Sequence, residues 1–161
     1  MSTFDKIVEL LQKNNVVFRV VEHIPEGRTE AISKIRGNEL RQGMKAMVLM
    51  VKLNKKDRKY YLAVVPGDQS LDMNAIKSYS HALGGVMFAP IDRAAALTEC
   101  DMGAVPPFTF NQDLYLIVDP SIKQNKEIVF NAGVLDRSIF MKVDDYIKVV
   151  NPTFVEIIKN A

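Results

Sequence analysis

The chain contains very little cysteine and histidine: Cys100 is its one cysteine, and His23 and His81 are its two histidines. One cysteine excludes an internal disulfide framework and suits a reducing compartment, so we expect a cytoplasmic protein. No Cys/His pairs stand at zinc-site spacing, and the chain lacks both GxxxxGK[ST] and GxGxxG. We therefore expect neither a metal nor another cofactor.

Long hydrophobic runs and a strong net charge are also missing. No apolar run approaches the roughly 20 residues that a membrane helix needs, so no membrane span is expected. The N-terminal segment carries Asp5 and Glu9 inside its apolar pattern and predicts a first helix, not a secretory signal. The net charge of +2 does not by itself indicate a nucleic-acid binder. Ordinary globular composition over 161 residues predicts one domain, 1–161.

Hydrophobic periodicity predicts an α+β fold, with helices around a mixed, largely antiparallel sheet of about six or seven strands. Helical spacing marks residues 3–14, and Thr29 stands where it would cap a second helix that ends at Gly37. The apolar run Ala46–Val51 is typical of a strand buried on both faces, and it pairs with "YYLAVVP" as a hairpin. Several later strands have connections too short for a crossover helix, which implies antiparallel pairing.

Lys45 stands at the start of this most apolar strand, directly after Gly43 and Met44. A lysine at the end of a core strand commonly reaches water along its own apolar stem. The alternative is that its ammonium faces a cleft, where it would hold an anion or polarise a carbonyl. Taken alone, the segment leaves both interpretations open.

The segment 102–108, "MGAVPPF", is too rich in Gly and Pro to form a regular element. Pro106 and Pro107 fix their φ angles and lack backbone donors, so the loop is shaped in advance. Such a loop leaves its other N–H groups free, namely those of Gly103, Ala104 and Val105. Free N–H groups of this kind can bind an anion or a developing oxyanion. A rigid connector is the alternative and the more common use of a Gly/Pro loop.

Two further segments carry candidate site residues. One predicted strand ends at Asn131, before Gly133 and a turn that reaches Ser138; taken alone, this segment is best interpreted as a hairpin. A basic run also follows the apolar strand, and its members are candidate contacts to RNA phosphates, with a solvated turn as the alternative. These basic residues are Lys52, Lys55, Lys56 and Arg58.

Cys100 offers a competing chemistry. A cysteine nucleophile needs a base to activate it, and His23 and His81 are the histidines available. A lone cysteine is more often a small buried hydrophobic residue. A Cys–His hydrolase is therefore the weaker alternative.

Taken in order, these segments resemble the YbaK/ProX-like aminoacyl-tRNA deacylases, relatives of the editing domain inserted in bacterial prolyl-tRNA synthetases. The resemblance covers nearly the whole chain, through "EHIPEGRTEAISKIRG", "QGMKAMVLMVK", "KYYLAVVPGD", "FAPIDRAAALTECDMGAVPPFTF", "IVFNAG" and "SIFMKVDDYIKV". The family carries a lysine at the head of the apolar strand, here Lys45, and a GXXXP loop, here Gly103–Pro107. Each motif is weak alone, but their order and flanking strands make the combination fairly specific.

The resemblance implies that the protein hydrolyses the ester of a mischarged tRNA without a metal. Lys45 would clamp the substrate, the loop would polarise the ester carbonyl, and water would attack it. We expect the aminoacyl group to be small, namely alanine, serine or threonine. The expected substrate-binding residues are Thr29, Met47, Pro106, Pro107, Asn131, Gly133 and Ser138. Some family members have a serine where Asn131 aligns and an acid where Ser138 aligns, so these two positions bear on substrate identity.

The implied partner is the aminoacylated acceptor end of a tRNA. A transient contact with an aminoacyl-tRNA synthetase is a second expectation, because a free-standing editor must meet the tRNA as it leaves the synthetase. The alternative is that the fold binds a tRNA end or a nucleotide and does no chemistry. Turnover of a panel of mischarged tRNAs would separate these two functions.

Overall fold

The computed structural model describes residues 1–160, in which two β-sheets pack with five α-helices. The helices are α1 (Thr3–Lys13), α2 (Thr29–Arg36), α3 (Met73–Ser80), α4 (Ile91–Thr98) and α5 (Val143–Val150). The strands are β1 (Phe18–Glu22), β2 (Met44–Lys52), β3 (Arg58–Pro66), β4 (Val86–Phe88), β5 (Leu114–Val118), β6 (Glu127–Asn131), β7 (Arg137–Lys142) and β8 (Thr153–Phe154). Of the helices in this described part, none has the length and apolar content to cross a bilayer.

The strands divide between two sheets. In the three-stranded sheet, β7 lies between β1 and β6 and is antiparallel to both. In the five-stranded sheet the order is β4-β2-β3-β5-β8, with an antiparallel β2–β3 hairpin and β5 and β8 added in parallel. The predicted mixed α+β class is confirmed. The predicted single sheet is not found, because hydrophobic alternation identifies strands but does not say which strands pair.

The side chains of β2 alternate between two cores, which explains its unbroken apolar run. Met44 and Val48 enter a core shared with α1, α5 and the three-stranded sheet. Leu49 and Val51 enter a second core beside α3. A strand buried on both faces needs apolar residues at successive positions, so the interpretation of this segment is confirmed.

The start of α2 differs from the prediction. Arg28, not Thr29, occupies the N-cap position, and no side chain caps the helix there. The prediction that Thr29 is the cap is wrong because the helical hydrogen bonds begin one residue earlier: the carbonyl of Arg28 accepts from the N–H of Ile32 at 2.9 Å. In the turn before the helix, the Oε2 of Glu26 accepts from the N–H groups of Gly27 (2.9 Å) and Arg28 (3.0 Å). The predicted end is confirmed, since Gly37 is the C-cap in the left-handed conformation, with φ of 73°.

Candidate functional site

The Gly103–Pro107 loop follows α4 and is held by hydrogen bonds on two sides. The N–H of Asp101 donates to the carbonyl of Gly133 (3.1 Å), and the N–H of Gly133 donates to the carbonyl of Ala104 (2.9 Å). On the other side, the buried hydroxyl of Tyr146 donates to the carbonyl of Pro107 at 2.6 Å. The loop is therefore attached to the β6–β7 turn and to α5.

A tight turn inside the loop decides which of its N–H groups are free. The N–H of Ala104 donates to the carbonyl of Asp101 at 3.0 Å, and Gly103 at the third position of this turn has φ of 87°. A turn with positive φ at that position is the type II turn, which selects glycine. The prediction that the N–H of Ala104 is free is therefore wrong.

The N–H groups of Gly103 and Val105 remain available, because neither has a protein acceptor within residues 1–160. Gly103 is exposed and Val105 is half-buried. The carbonyl of Ala104 points at Gly133, and the carbonyl and N–H of a trans peptide point in opposite directions. The N–H of Val105 is therefore directed away from Gly133. Two donors on either side of Ala104 are left for a ligand.

The loop lies directly on the turn that precedes α2. A Cβ added to Gly27 would be 3.1 Å from the Cα of Gly103, and a Cβ added to Gly103 would be 3.1 Å from the Cα of Gly27. Glycine at both positions allows the two backbones to approach this closely. An open depression of about 560 Å³ begins at this contact. It is lined by Gly27, Arg28, Thr29, Glu30, Ala31 and Lys34.

A hydrogen-bonded cluster lies against this contact, formed by the ends of α2, β6 and β7. The Nη1 of Arg36 donates to the Oγ of Ser138 (3.2 Å) and to the Oδ1 of Asn131 (3.4 Å). The Oγ of Ser138 also donates to the Oδ1 of Asn131 (2.9 Å). On its other side, the Nδ2 of Asn131 donates to the carbonyls of Glu26 (2.9 Å) and Gly103 (3.4 Å). The amide of Asn131 is thus engaged by protein groups, and it links the cluster to the loop.

Arg36 is the charged member of this cluster, and within the described residues no carboxylate forms a salt bridge with it. Its Nε donates to the Oδ1 of Asn38 at 3.1 Å, and its Nη2 has no protein acceptor in residues 1–160. Burial lowers the pKa of Arg36 to about 10, so the side chain is charged at neutral pH. A desolvated cation without a counter-charge is unfavourable for stability and therefore marks a candidate functional group.

His23 also contacts Ser138, a contact that was not expected from the sequence. Its Nε2 lies 2.7 Å from the Oγ of Ser138, and its Nδ1 lies 2.9 Å from the carbonyl of Ile24. His23 is thereby held at the edge of the cluster, and it forms no hydrogen bond with Cys100.

Cys100 has no histidine partner among residues 1–160. Its thiol donates to the carbonyl of Thr98 at 3.2 Å. Burial raises the pKa of the Cys100 thiol, which disfavours the thiolate. A Cys–His hydrolase would require an activated thiolate beside a histidine, so the observed arrangement does not support this alternative. No group of three metal-ligating side chains is found in the part of the chain that the structure describes.

Lys45 is the second residue of β2 and is half-buried. Its Nζ donates to the carbonyl of Gln69 at 2.7 Å. Burial lowers the pKa of Lys45, and the nearby charge of Asp68 partly opposes this shift. Because an ammonium group has three donors, two remain for a ligand after the bond to Gln69.

Lys45 forms no hydrogen bond with the loop. By strand alternation it shares a side of β2 with Met47, which packs into the core beside α3. Met102 and Val105 pack against the other core, on the side of Met44. A ligand that touches both Lys45 and the loop would therefore cross the start of β2. Met47, an expected substrate-binding residue, packs in the core beside α3.

The basic run lies at the opposite end of the β2–β3 hairpin. Lys52 is paired with Arg58 across the turn, seven residues along β2 from Lys45. At roughly 3.3 Å per residue this separation is about 23 Å. Lys55 and Lys56 are exposed, whereas the Nη1 of Arg58 donates to carbonyls within the turn. This run is therefore separate from the loop and its cluster.

Thr29 lies between the end of β3 and the depression beside the loop. A Cβ added to Gly67 would be 3.0 Å from the Thr29 Cγ2 and 2.4 Å from the carbonyl of Leu40. Glycine at position 67 therefore allows α2 to pack against the end of β3. Thr29 also lines the depression beside the loop, so its expected position at the site is compatible with the geometry.

Comparison with known proteins identifies close relatives. Residues 24–149 match the family model of the aminoacyl-tRNA editing domain. The chain is 38% identical over 160 residues to the multifunctional Ser/Thr-tRNA deacylase ProXp-y of Escherichia coli K12, covering 99% of this chain and 95% of that protein. The protein of the same name from Escherichia coli O157:H7 matches to the same extent.

Solved structures share the fold. The crystal structure of a hypothetical protein matches with a TM-score of 0.83 at 17% identity, covering 96% of this chain and 99% of that chain. A protein provisionally assigned as a trans-editing enzyme for prolyl-tRNA synthetase matches with a TM-score of 0.79 at 19% identity, covering 99% of both chains. At these identities the structural matches establish the fold, and the sequence matches establish the relationship.

Proposed function

Because the chain belongs to the aminoacyl-tRNA editing domain family, we propose that it is a free-standing enzyme that removes serine or threonine from mischarged tRNA. As a family member it is an aminoacyl-tRNA deacylase, a hydrolase that acts on the ester between an amino acid and a tRNA. The choice of serine and threonine is supported by the activity named for its Escherichia coli relative, which aligns over 99% of this chain.

One observation carries the proposed mechanism: Gly103 and Val105 present unpaired N–H groups on a loop that is fixed on both sides. When water attacks the ester carbon, negative charge develops on the carbonyl oxygen. Donors already in place stabilise this charge without reorganising, and the loss of one such donor typically costs about 10²–10³ in kcat. We assign the N–H groups of Gly103 and Val105 to this role.

The remaining chemistry needs little from the protein. An aminoacyl ester is already activated, so positioning accounts for much of the catalysis. Water adds to the carbonyl carbon, the tetrahedral intermediate collapses, and the ribose oxygen leaves with a proton, giving the free amino acid and the tRNA hydroxyl. The adjacent ribose hydroxyl of the substrate would orient the water.

Lys45 acts as a charged clamp in this mechanism. Its two remaining N–H donors would hold the phosphate of the terminal adenosine or the ester region by charge-assisted hydrogen bonds. An ammonium group cannot act as a general base while it is charged. The nearby charge of Asp68 favours the protonated form against the effect of burial.

The proposed partner is the acceptor end of an aminoacylated tRNA. Because the basic run lies about 23 Å along the hairpin from Lys45, its lysines would contact RNA phosphates beyond the terminal nucleotide. A transient contact with the synthetase that releases the mischarged tRNA is also proposed. The expected setting is the cytoplasm, where charged tRNA is used.

The proposal is tested with tRNAs charged with serine, threonine or alanine. We expect wild-type protein to accelerate loss of the seryl and threonyl esters over the rate in buffer. Lys45→Ala should lower kcat/KM, whereas Lys13→Ala, which removes an exposed lysine at the end of α1, should not. Binding of all three tRNAs without any turnover would contradict the proposal and support a non-catalytic binding module. Full activity of Lys45→Ala would contradict the assigned clamp.

A further inference from the structure

We infer that Arg36 is a positioning residue for this reaction: through the amide of Asn131 it holds the loop that presents the N–H groups of Gly103 and Val105. The inference rests on the proposed function, since it explains how the donors for the ester carbonyl are kept in place. It starts from a half-buried guanidinium that is directed at an amide and a hydroxyl, not at a carboxylate.

Arg36 determines which way the amide of Asn131 faces. A guanidinium offers donors and no acceptor, so the amide atom that faces it must be the oxygen. The hydroxyl of Ser138 reaches the same Oδ1 at 2.9 Å. With its oxygen directed at two donors, Asn131 must direct its NH₂ group to the opposite side. There it meets the carbonyls of Glu26 (2.9 Å) and Gly103 (3.4 Å).

The hydrogen bond from Asn131 to the carbonyl of Gly103 holds one side of the Gly103–Ala104 peptide group, whose other side is held by Asp101. The peptide between Gly103 and Ala104 has its carbonyl directed at Asn131 and its N–H directed at Asp101. The two neighbouring peptides carry the unpaired N–H groups of Gly103 and Val105. Rotation of the central peptide would turn both of those donors, so its attachment on two sides fixes their directions.

The hydrogen bond from Asn131 to the carbonyl of Glu26 holds the turn before α2, on which the loop packs. Glu26 precedes Gly27, whose backbone lies against Gly103. One NH₂ group therefore connects both backbones of this close contact. If the NH₂ group were replaced by an oxygen, two carbonyls would face a third acceptor and the contact would be forced apart.

A second arginine–asparagine pair offers a matched control. The Nη1 of Arg41 donates to the Oδ1 of Asn125 at 2.9 Å, and Asn125 is buried like Asn131. The Nδ2 of Asn125 returns to the carbonyl of Arg41 itself at 2.8 Å, and Arg41 pairs with Glu39. The hydrogen bonds are of the same kind, but none of them reaches the loop.

The decisive experiment compares Asn131→Asp with Asn125→Asp in single-turnover hydrolysis of seryl-tRNA. Aspartate at position 131 still accepts from Arg36, but it turns an oxygen toward Gly103. At saturating enzyme we expect the single-turnover rate of Asn131→Asp to be about 100-fold below that of wild type. This is the lower end of the 10²–10³-fold loss that typically follows removal of one oxyanion donor. The enzyme concentration that gives half the maximal rate should change less than about threefold, because ground-state binding is retained. Asn125→Asp should keep its rate within about twofold.

Two variants of Arg36 test the same inference without changing the amide. Arg36→Met removes the donor and should reproduce the loss of rate. Arg36→Lys keeps a charged donor and should recover part of it. Circular dichroism confirms that each variant is folded, so that loss of rate is separated from loss of structure.

The outcomes distinguish this inference from the proposed function. If wild type hydrolyses seryl-tRNA while Asn131→Asp and Arg36→Met keep its rate, the inference is overturned and the proposed function stands. Equal loss in Asn131→Asp and Asn125→Asp would also overturn it, because the effect would then be structural. If wild type itself has no activity, the proposed function fails and the inference fails with it.

Discussion

Arg36 and Arg41 lie five residues apart, and each donates to the amide of a buried asparagine, yet their surroundings differ. Around Arg41 the network is closed, meaning that its members bond to one another: the Nε of Arg41 pairs with the Oε2 of Glu39 at 2.6 Å, and the Nδ2 of Asn125 donates to the carbonyl of Arg41. Around Arg36 the network is open, because the charge has no carboxylate partner within residues 1–160 and the amide ends on a loop with unpaired donors.

The difference shows which buried polar clusters indicate function. Buried polar groups in proteins are normally satisfied, and a closed cluster such as that of Arg41 contributes to structure alone. A cluster with an unpaired charge and unused donors costs stability and is retained where a ligand completes it. By this criterion we assign the Arg36 cluster, and not the Arg41 cluster, to the proposed site.

The largest effect is expected from glycine substitutions that alter the loop of the open network. Gly103 has φ of 87°, and a Cβ there would meet the Cα of Gly27 at 3.1 Å. Gly103→Ala should reduce the single-turnover rate about 10²–10³-fold by moving the donors. Gly37 has φ of 73° but no atom within 4 Å of an added Cβ. Gly37→Ala should therefore cost about 1–2 kcal/mol of stability and leave the rate unchanged. A fully active Gly103→Ala would contradict the assignment of the loop.

The second largest effect is expected on the free energy of unfolding. Here substitution of Arg41 should have the larger effect, whereas substitution of Arg36 should have the larger effect on the rate. Arg41→Met leaves the Oδ1 of Asn125 without its arginine donor and should cost about 1.5–3 kcal/mol, the range for a hydrogen bond to a charged group. Arg36→Met should cost less, because it removes a desolvated cation and Asn131 keeps the donor Ser138. Denaturant unfolding measures both values. A larger loss for Arg36→Met than for Arg41→Met would show that the Arg36 cluster is primarily structural.

The pH dependence of activity tests whether the charge of Lys45 is used. The pKa of a free lysine is about 10.4. Burial lowers the pKa of Lys45, so its ammonium group loses its proton at a lower pH than a free lysine does. Because the charged form is the active one, kcat/KM should fall as pH rises through this pKa, by about tenfold per pH unit above it. The rate in buffer is subtracted at each pH. Lys45→Arg should remove the decline, and a flat wild-type profile up to about pH 10.4 would contradict the clamp.

The smallest effect is expected at Cys100, which lies beside Gly133 but outside both clusters. Cys100→Ala removes a weak hydrogen bond to the carbonyl of Thr98 and should cost about 1 kcal/mol or less. Its rate on seryl-tRNA should equal that of wild type. Loss of activity in this variant would instead support a cysteine nucleophile.

The sequence predicts the parts of the site that depend on local chemistry. The strand that begins near Lys45, the irregular Gly/Pro loop and the left-handed Gly37 all follow from residue types and their spacing. The sequence does not show which donors are free, because the type II turn at Gly103 engages the N–H of Ala104 in a hydrogen bond to Asp101. Local composition indicated a constrained loop but not which hydrogen bonds it forms.

The role of Arg36 could not be predicted because it depends on long-range contacts. In the sequence it is a basic residue in the last turn of a short helix, where a positive charge is ordinary. Its partners Asn131 and Ser138 are 95 and 102 residues away. The same applies to Lys45, whose direction is set by the alternation of β2 between two cores.

The most direct test of the site is a crystal structure with an amide-linked analogue of seryl-adenosine, which mimics the ester but is not hydrolysed. The carbonyl oxygen of the analogue should lie about 2.7–3.1 Å from the backbone nitrogens of Gly103 and Val105, the distance expected for oxyanion donors. Lys45 should contact the adenosine end, and Asn131 should keep its bonds to Arg36 and the loop. A carbonyl oxygen bound away from the loop, for example at Cys100, would contradict the proposed site.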